Sequence, residues 1–133
     1  MKKSLHLLYA VLALVVGWKA SAQGLTCATA LPVTPGTFTA STLIGTPSTP
    51  GLNGNGVALT AGWYAYTPTA NGILNINSCG GGSDTRLWVW SGTCAALTPV
   101  ANNDDFTGCI STGTTAYASK IENIIVTTGN TYY

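Results

Sequence analysis

The chain has 133 residues, a formal net charge of +1 and only 7% charged residues. Three of its five basic residues, Lys2, Lys3 and Lys19, precede residue 23, so residues 23–133 carry two basic and four acidic side chains. Because nucleic acid and anionic lipid are both bound through clustered Lys and Arg, this balance excludes nucleic acid as a partner and argues against an anionic membrane surface.

The amino-terminal segment has the three parts of a secretory signal peptide. Lys2 and Lys3 are followed by an apolar run over residues 5–16 and then by the small residues 20–22. The run is about a dozen residues long, short of the ~20 that a helix needs to cross a bilayer. We therefore predict a signal peptide over residues 1–22 and an exported bacterial protein, secreted or at the cell surface, that is not inserted in the membrane after signal cleavage.

All four cysteines, Cys27, Cys79, Cys94 and Cys109, follow the predicted signal peptide. In an exported chain they predict two disulfide bonds, whereas a zinc site is disfavoured because no C-x-x-C pair is present. Four cysteines allow three pairings, and the sequence does not choose among them. A Cys79–Cys94 bond would close a hairpin-sized loop and contribute roughly 3 kcal/mol to stability.

Residues 23–133 are enough for one domain and are rich in Thr, Gly, Ser, Asn and β-branched or aromatic residues. Apolar residues do not recur with the 3.6-residue period of a helix, so helices should be nearly absent. Short β-prone runs between turn residues predict an all-β fold, a jelly-roll-like β-sandwich. The predicted strands are 37–44, 62–67, 72–77, 86–91, 115–118 and 121–127, and residues 45–56 are a predicted loop.

The predicted strand 86–91 alternates clearly between two kinds of face. Leu87 and Val89 share one face, because successive strand residues point to opposite sides. The other face is formed by Arg86, Trp88 and Trp90, which are the candidate ligand-binding residues. If the aliphatic face is the core, this exposed stripe is typical of a surface that binds sugar rings or another protein. Burial of the stripe under a neighbouring loop or sheet is the alternative.

Other apolar residues predict how the sheet is completed. Tyr64 and Tyr66 are expected in the core. Residues 121–126 have apolar side chains on both faces, which predicts a central strand and not an edge. Residues 129–133 combine a turn signal with two β-forming tyrosines, which predicts a strand cut short. Residues 23–133 would then be a C-terminally truncated domain of a longer protein, the alternative being a natural terminus paired into the sheet.

Four oxygen-bearing residues, Asp84, Asn103, Asp104 and Asp105, lie in turn-like segments. Calcium accepts carboxylate and amide oxygens in such loops, so these are the candidate calcium ligands, although no EF-hand spacing is present. Asn-Asp runs are also common as plain turns. Calcium would stabilise loops here, and we predict no other cofactor.

Catalysis is disfavoured by what the chain lacks. His6, the only histidine, lies in the predicted signal peptide, so residues 23–133 cannot form a Ser-His-Asp or Cys-His site. Asp84 with Asp104 or Asp105 could form the carboxylate pair of a small hydrolase. Such a pair needs one carboxyl group in apolar surroundings, whereas these lie in polar turns. We therefore predict that the protein is not an enzyme.

Several segments share their order and spacing with one family of exported domains. They are LTCATA at 25–30, GWYAYT at 62–67, GILNINSC at 72–79, SDTRLWVWSG at 83–92, NDD at 103–105, SKI at 119–121 and GNTYY at 129–133. Together they resemble the bacterial pre-peptidase C-terminal (PPC) domain of secreted and cell-surface proteins. The resemblance implies a jelly-roll β-sandwich with an accessory role, and its collagen-binding relatives have calcium sites. The family pattern continues past the equivalents of Tyr132 and Tyr133, and its usual Cys-Gly pair has no counterpart at 59–61.

Three functions are compatible with these features. The first is a non-catalytic secreted binding module that attaches to polysaccharide, a matrix protein or a cell surface. The alternative is an intramolecular accessory domain that aids the folding, secretion or stability of an attached secreted protease or adhesin, whose other domains would be its partners. A small carboxylate-dependent hydrolase, resting on Asp84, Asp104 and Asp105 alone, is the third.

Overall fold

A computed structural model of the chain describes residues 23–38, 43–47, 59–81, 83–109 and 117–133. The predicted signal peptide over residues 1–22 lies outside these ranges. The described elements, in chain order, are a short 3-10 helix η1 (Cys27–Thr29) and the strands β1 (Leu31–Val33), β2 (Tyr64–Tyr66), β3 (Gly72–Asn77), β4 (Leu87–Thr93), β5 (Ala96–Asn103) and β6 (Lys120–Val126). The all-β prediction is confirmed, whereas the finer jelly-roll assignment stays a prediction because the sheets are small and open.

The strands pair two by two. β1 and β2 are parallel, while β3 with β6 and β4 with β5 are antiparallel. Tyr132 joins the first and last of these pairs, because it bridges to Tyr66 of β2 on one side and to Ser91 of β4 on the other. The backbone around Tyr132 therefore lies between β2 and β4.

The core lies between these joined strands and the β3–β6 pair. One buried cluster consists of Val89, Ile121, Ile124, Val126 and Tyr132, none more than 7% exposed. Each such apolar side chain contributes about 1.5–3 kcal/mol when fully removed from water. Side chains from the inner faces of two sheets thus meet in one layer, which is the packing of a β-sandwich.

Four predicted strands, 62–67, 72–77, 86–91 and 121–127, correspond to β2, β3, β4 and β6. The sequence does not predict β1 or β5, which contain Pro32 and Pro99. Proline cannot donate to a ladder of hydrogen bonds, so it argues against a strand in a sequence pattern. β5 forms because a tight turn after Thr93 folds it back along β4.

The two other predicted strands are not found where the structure describes them. Of 37–44, residues 37, 38, 43 and 44 are not in a strand, and 39–42 lie outside the described residues. Of 115–118, residues 117 and 118 are not in a strand, and the other two lie outside. The predicted loop 45–56 is described only at residues 45–47, where Gly45 pairs with Ala61.

The outer face of β6 differs from the prediction. Ile125 is 80% exposed and lies opposite Ile73 of β3, which is 64% exposed. Among the described strands β6 pairs with β3 alone. The prediction of a central strand covered on each side is therefore wrong, because Ile124 and Val126 face the core while Ile125 faces away from it.

Two disulfide bonds tie the loops to this framework, as predicted. Cys27 bonds to Cys94, which ties η1 to the β4–β5 turn, and Cys79 bonds to Cys109, which ties the turn after β3 to the loop after β5. Of the three pairings that the sequence leaves open, the Cys79–Cys94 alternative does not form. Within the described ranges no helix has the length and apolar character needed to cross a membrane.

Candidate functional site

The alternation along β4 directs its tryptophans away from the core. Val89 is 3% exposed, and Leu87 packs against the core cluster. On the opposite face Trp88 is 37% exposed and Trp90 is half-buried. The aliphatic residues are therefore the inner ones, and the stripe that begins at Arg86 faces outward.

Tyr133 lies beside Trp90 on this outward face. The amide of Trp90 donates to the Tyr133 carbonyl at 2.8 Å, and the amide of Tyr133 donates to the Trp90 carbonyl at 2.9 Å. Residues that exchange both bonds in an antiparallel pair are directly opposite, and their side chains share a face. We call Trp88, Trp90 and Tyr133 the aromatic face. Sequence reasoning missed Tyr133, because its partner strand is remote along the chain.

A depression borders the aromatic face at the end of β4. Its volume is about 540 Å³, and it is lined by residues 91–93, residues 129–131 and Tyr133. We call it the polar depression, because its lining consists of Ser, Gly, Thr, Asn and Tyr. Gly92 has a φ of 95°, and a Cβ there would lie 2.6 Å from the Ala96 carbonyl oxygen, so a side chain is excluded at this point of the wall. Tyr133 belongs to both the depression and the aromatic face.

Thr131 is fixed where the depression meets the sheet. Its hydroxyl shares a hydrogen bond of 2.9 Å with the hydroxyl of Thr67, which follows β2. The amide of Asn130 donates to the Thr127 carbonyl at 3.2 Å, which closes the turn after β6. Gly129 in that turn has a φ of 81°. The depression is therefore bounded by a turn that is held by a hydrogen bond at each end.

The three predicted carboxylates meet at the other end of the stripe. One oxygen from each of Asp84, Asp104 and Asp105 lies within 4.8 Å of the other two, and all three residues are exposed. Arg86 pairs with this cluster, since its Nε lies 2.8 Å from Asp104 Oδ1. The structure thus brings the predicted acidic residues together and places the positive end of the stripe against them.

Buried Ser119 holds the two acidic loops side by side. Its hydroxyl lies in hydrogen-bonding contact with the backbone carbonyls of Thr85 and Asp104, one from each loop. Its amide also donates to the Ser78 hydroxyl at 3.0 Å. Ser119 is fully buried, and the sequence carries no signal that singles it out. The juxtaposition of Asp84 with Asp104 therefore depends on a residue that is not itself acidic.

Asn103, the fourth predicted calcium ligand, already has partners. Its Oδ1 accepts a hydrogen bond from the amide of Lys120 at 2.9 Å, and its Nδ2 donates to the Asp105 carbonyl at 3.3 Å. The side chain thus braces the loop after β5 against β6. In this arrangement the Asn103 side chain orients the acidic loop through its bond to the Asp105 backbone.

The second cation after residue 22, Lys120, is also paired. Its Nζ lies 2.6 Å from Glu122 Oε1 and 5.1 Å from the centre of the Phe106 ring. Because Arg86 and Lys120 are the two basic residues after residue 22, every cation of this region has an acidic partner. The surface around the aromatic face therefore has no surplus positive charge.

The remaining large aromatics support the fold. Trp63 is 7% exposed, and its Nε1 donates to the Thr46 carbonyl at 2.7 Å. Tyr66 packs against the core cluster, as predicted. Tyr64 is half-buried with its ring centroid 6.3 Å from that of Phe38, and burial raises the pKa of its phenol.

Comparison with known proteins adds no relative. No family model, curated protein or solved structure matches this chain. The resemblance to the PPC domain therefore stays a prediction from the quoted segments. Any function assigned to the chain depends on its own residues.

Proposed function

We propose that residues 23–133 form an exported, non-catalytic binding module that attaches to polysaccharide, a matrix protein or a cell surface. The observation that carries the proposal is the aromatic face, where Trp88, Trp90 and Tyr133 lie together on the outer side of β4 and its neighbour. Arg86 continues the same stripe toward the acidic cluster. The contact surface is thus a row of flat side chains with a charged residue at one end.

The chemistry of the aromatic face suits binding more than packing. Trp and Tyr offer large apolar areas with a polar atom at the edge, which is why they are enriched where one partner must meet another. Apolar surface that is left in contact with water is unfavourable, and where it is contiguous it often marks a binding site; here Trp88 is exposed and Trp90 and Tyr133 are half-buried. The same chain buries Trp63, which is 7% exposed, so Trp88 is not exposed for lack of a core.

Two further features support an exported, non-catalytic role. Disulfide bonds such as Cys27–Cys94 and Cys79–Cys109 are typical of proteins outside the cytoplasm. Asp84, Asp104 and Asp105 are exposed, so the apolar burial that a hydrolytic carboxyl group needs is missing around them. The resemblance to the PPC domain points to the same accessory role.

Binding to immobilised probes tests the proposal. Cellulose, chitin, starch and collagen-coated beads would be incubated with the wild type and with the Trp88→Ala/Trp90→Ala double variant. We expect retention on at least one probe by the wild type and a loss of at least tenfold in the double variant. Ile125→Ala is the matched control, because it removes an exposed apolar side chain from the opposite sheet.

The result is interpreted together with a thermal melt of each variant. Retention by the double variant equal to that of the wild type, with both proteins folded, would contradict the proposal. Loss of retention in Ile125→Ala as well would show that general surface hydrophobicity, and not the aromatic face, causes adhesion.

Calcium is proposed as a support for the acidic loops. Three carboxylates within 4.8 Å of one another offer the hard oxygen ligands that calcium prefers. Millimolar calcium chloride should raise the Tm of the wild type by several degrees relative to EDTA, because a ligand that binds only the folded state stabilises it. The Asp84→Asn/Asp105→Asn variant should lose this shift while it keeps the Arg86–Asp104 pair. Equal shifts in both proteins, or an equal effect of magnesium, would contradict a calcium site.

A further inference from the structure

The charges near the aromatic face limit the class of ligand. All six charged side chains after residue 22 lie in the described ranges. Arg86 and Lys120 are paired with Asp104 and Glu122 at 2.8 and 2.6 Å. Two carboxylates, Asp84 and Asp105, remain beside Arg86, so the local balance at that end of the stripe is negative.

An anionic ligand would meet this surface unfavourably. A uronate or sulfate group needs a cation or several backbone amides to replace its water, and a like charge nearby adds repulsion. Here Arg86 already has a carboxylate partner, and taking it from Asp104 would leave three carboxylates within 4.8 Å of one another without their cation. The surface therefore selects against sulfated and uronic polymers.

The polar depression offers the opposite kind of chemistry. Its lining residues include Ser91, Thr93, Asn130, Thr131 and Tyr133, and none of the lining residues carries a charged side chain. Hydroxyls and amides donate as well as accept hydrogen bonds, as the hydroxyl groups of a sugar do. Its volume of about 540 Å³ is also within the range of roughly 300–1,000 Å³ that is usual for small-ligand sites.

Tyr133 connects this depression with the aromatic face. It lines the depression and lies directly opposite Trp90 in the sheet. A chain of sugar rings could therefore place one ring in the depression and stack the next on the aromatic side chains without a break in contact. Arg86 and the acidic cluster lie beyond Trp88, at the far end of the same stripe.

We infer that the ligand is an uncharged polysaccharide, bound across the polar depression and the aromatic face; this inference depends on the binding function proposed above. The depression holds a sugar unit through Thr93 and Asn130. The aromatic face stacks on the following units. Anionic polysaccharides are disfavoured, because the acidic cluster with Arg86 is negative when no ion is bound and at most neutral with one calcium ion.

Affinity electrophoresis in gels containing one soluble polysaccharide each tests the inference. The neutral probes are hydroxyethylcellulose, mannan and dextran, and the anionic probes are alginate, polygalacturonate and heparin, all run in EDTA at low salt. We expect retardation by at least one neutral probe and none by the anionic probes. Asn130→Ala and Thr93→Ala should each weaken the neutral interaction about fivefold to tenfold, the usual effect of one lost hydrogen bond, while Ile125→Ala should leave it unchanged.

The outcomes separate this inference from the binding function itself. Stronger retardation by an anionic probe, with or without added calcium, would overturn the neutral-ligand inference and leave the binding module standing. Binding to collagen with no retardation by any polysaccharide would do the same. Loss of binding in Trp88→Ala/Trp90→Ala but not in Asn130→Ala or Thr93→Ala would remove the depression from the site. No binding to any probe would overturn both proposals.

Discussion

Trp63 and Trp88 are the same residue type in two opposite situations. Trp63 is 7% exposed, its indole N–H donates to the Thr46 carbonyl, and its own backbone pairs with that of Gly24. Trp88 is 37% exposed on the outer face of β4. The first is enclosed by segments from elsewhere in the chain, and the second is not. Burial with a satisfied N–H marks a structural tryptophan in this domain, so the exposed Trp88 is available for another role.

The two ends of the aromatic stripe differ in charge. At one end Arg86 faces Asp84, Asp104 and Asp105, and charge governs what can approach. At the other end Tyr133 adjoins a depression whose lining residues are all uncharged. A ligand that contacts the whole stripe must be compatible with both ends, which is why an uncharged polymer fits better than an ionic one.

Replacing each of these tryptophans with alanine should give the largest difference in stability between the two positions. Trp63→Ala should lower the free energy of unfolding by about 3–5 kcal/mol, because it removes a large buried side chain and leaves a cavity. Trp88→Ala should lower it by less, about 1–2 kcal/mol, because this side chain is already 37% exposed in the folded protein. Urea unfolding followed by circular dichroism measures both.

For binding, the order of the two variants should be reversed, with the larger loss in Trp88→Ala. Trp88→Ala should reduce retention on the polysaccharide probes at temperatures where Trp63→Ala remains folded and binds as the wild type does. Equal losses of stability in the two variants would show that Trp88 is as structural as Trp63. That result would contradict the assignment of Trp88 to binding.

A smaller change isolates the hydrogen bond of Trp63. Trp63→Phe keeps an aromatic ring but removes the N–H that donates to the Thr46 carbonyl at 2.7 Å. The loss should be about 1–3 kcal/mol, since a part-buried carbonyl is left without its donor and the smaller ring fills less space. Trp88→Phe is the matched control. A loss below 0.5 kcal/mol, on the order of an ordinary surface substitution, would show that Thr46 regains a partner from water.

The sequence indicates the strands that have a clear period of two. β3 and β4 are predicted nearly to their observed ends, because their apolar residues alternate and turn residues flank them. β5 is missed because Pro99 and several small or polar residues give no strand signal. Its formation depends on pairing with β4, a tertiary effect that overrides local propensity. Likewise, the sequence cannot show that Ile125 faces outward, because residues 124–126 are all apolar and do not alternate with polar ones.

The candidate site is predictable only in part for the same reason. The alternation along β4 identifies Arg86, Trp88 and Trp90 as one face from local spacing alone. Tyr133 joins that face through a backbone pair formed more than forty residues along the chain from Trp90. The polar depression is assembled from the end of β4 and the distant turn after β6. The disulfide pairing is equally non-local. Contacts set by topology are not encoded in any short segment.

The stability of the protein should depend on the ionisation of Tyr64 at high pH. Tyr64 is half-buried near Phe38, and burial raises the pKa of its phenol above the ordinary value of about 10. Because the pKa is higher in the folded state, the stability due to Tyr64 is complete below the ordinary pKa and is lost as the pH rises through the folded pKa. Tyr64→Phe cannot ionise, so its free energy of unfolding should fall less steeply above about pH 10 than that of the wild type. Urea unfolding across this range measures the two slopes, with Ile125→Ala as a non-titrating control. Identical slopes in Tyr64→Phe and wild type would show that the Tyr64 phenol is as well solvated in the fold as in the unfolded chain.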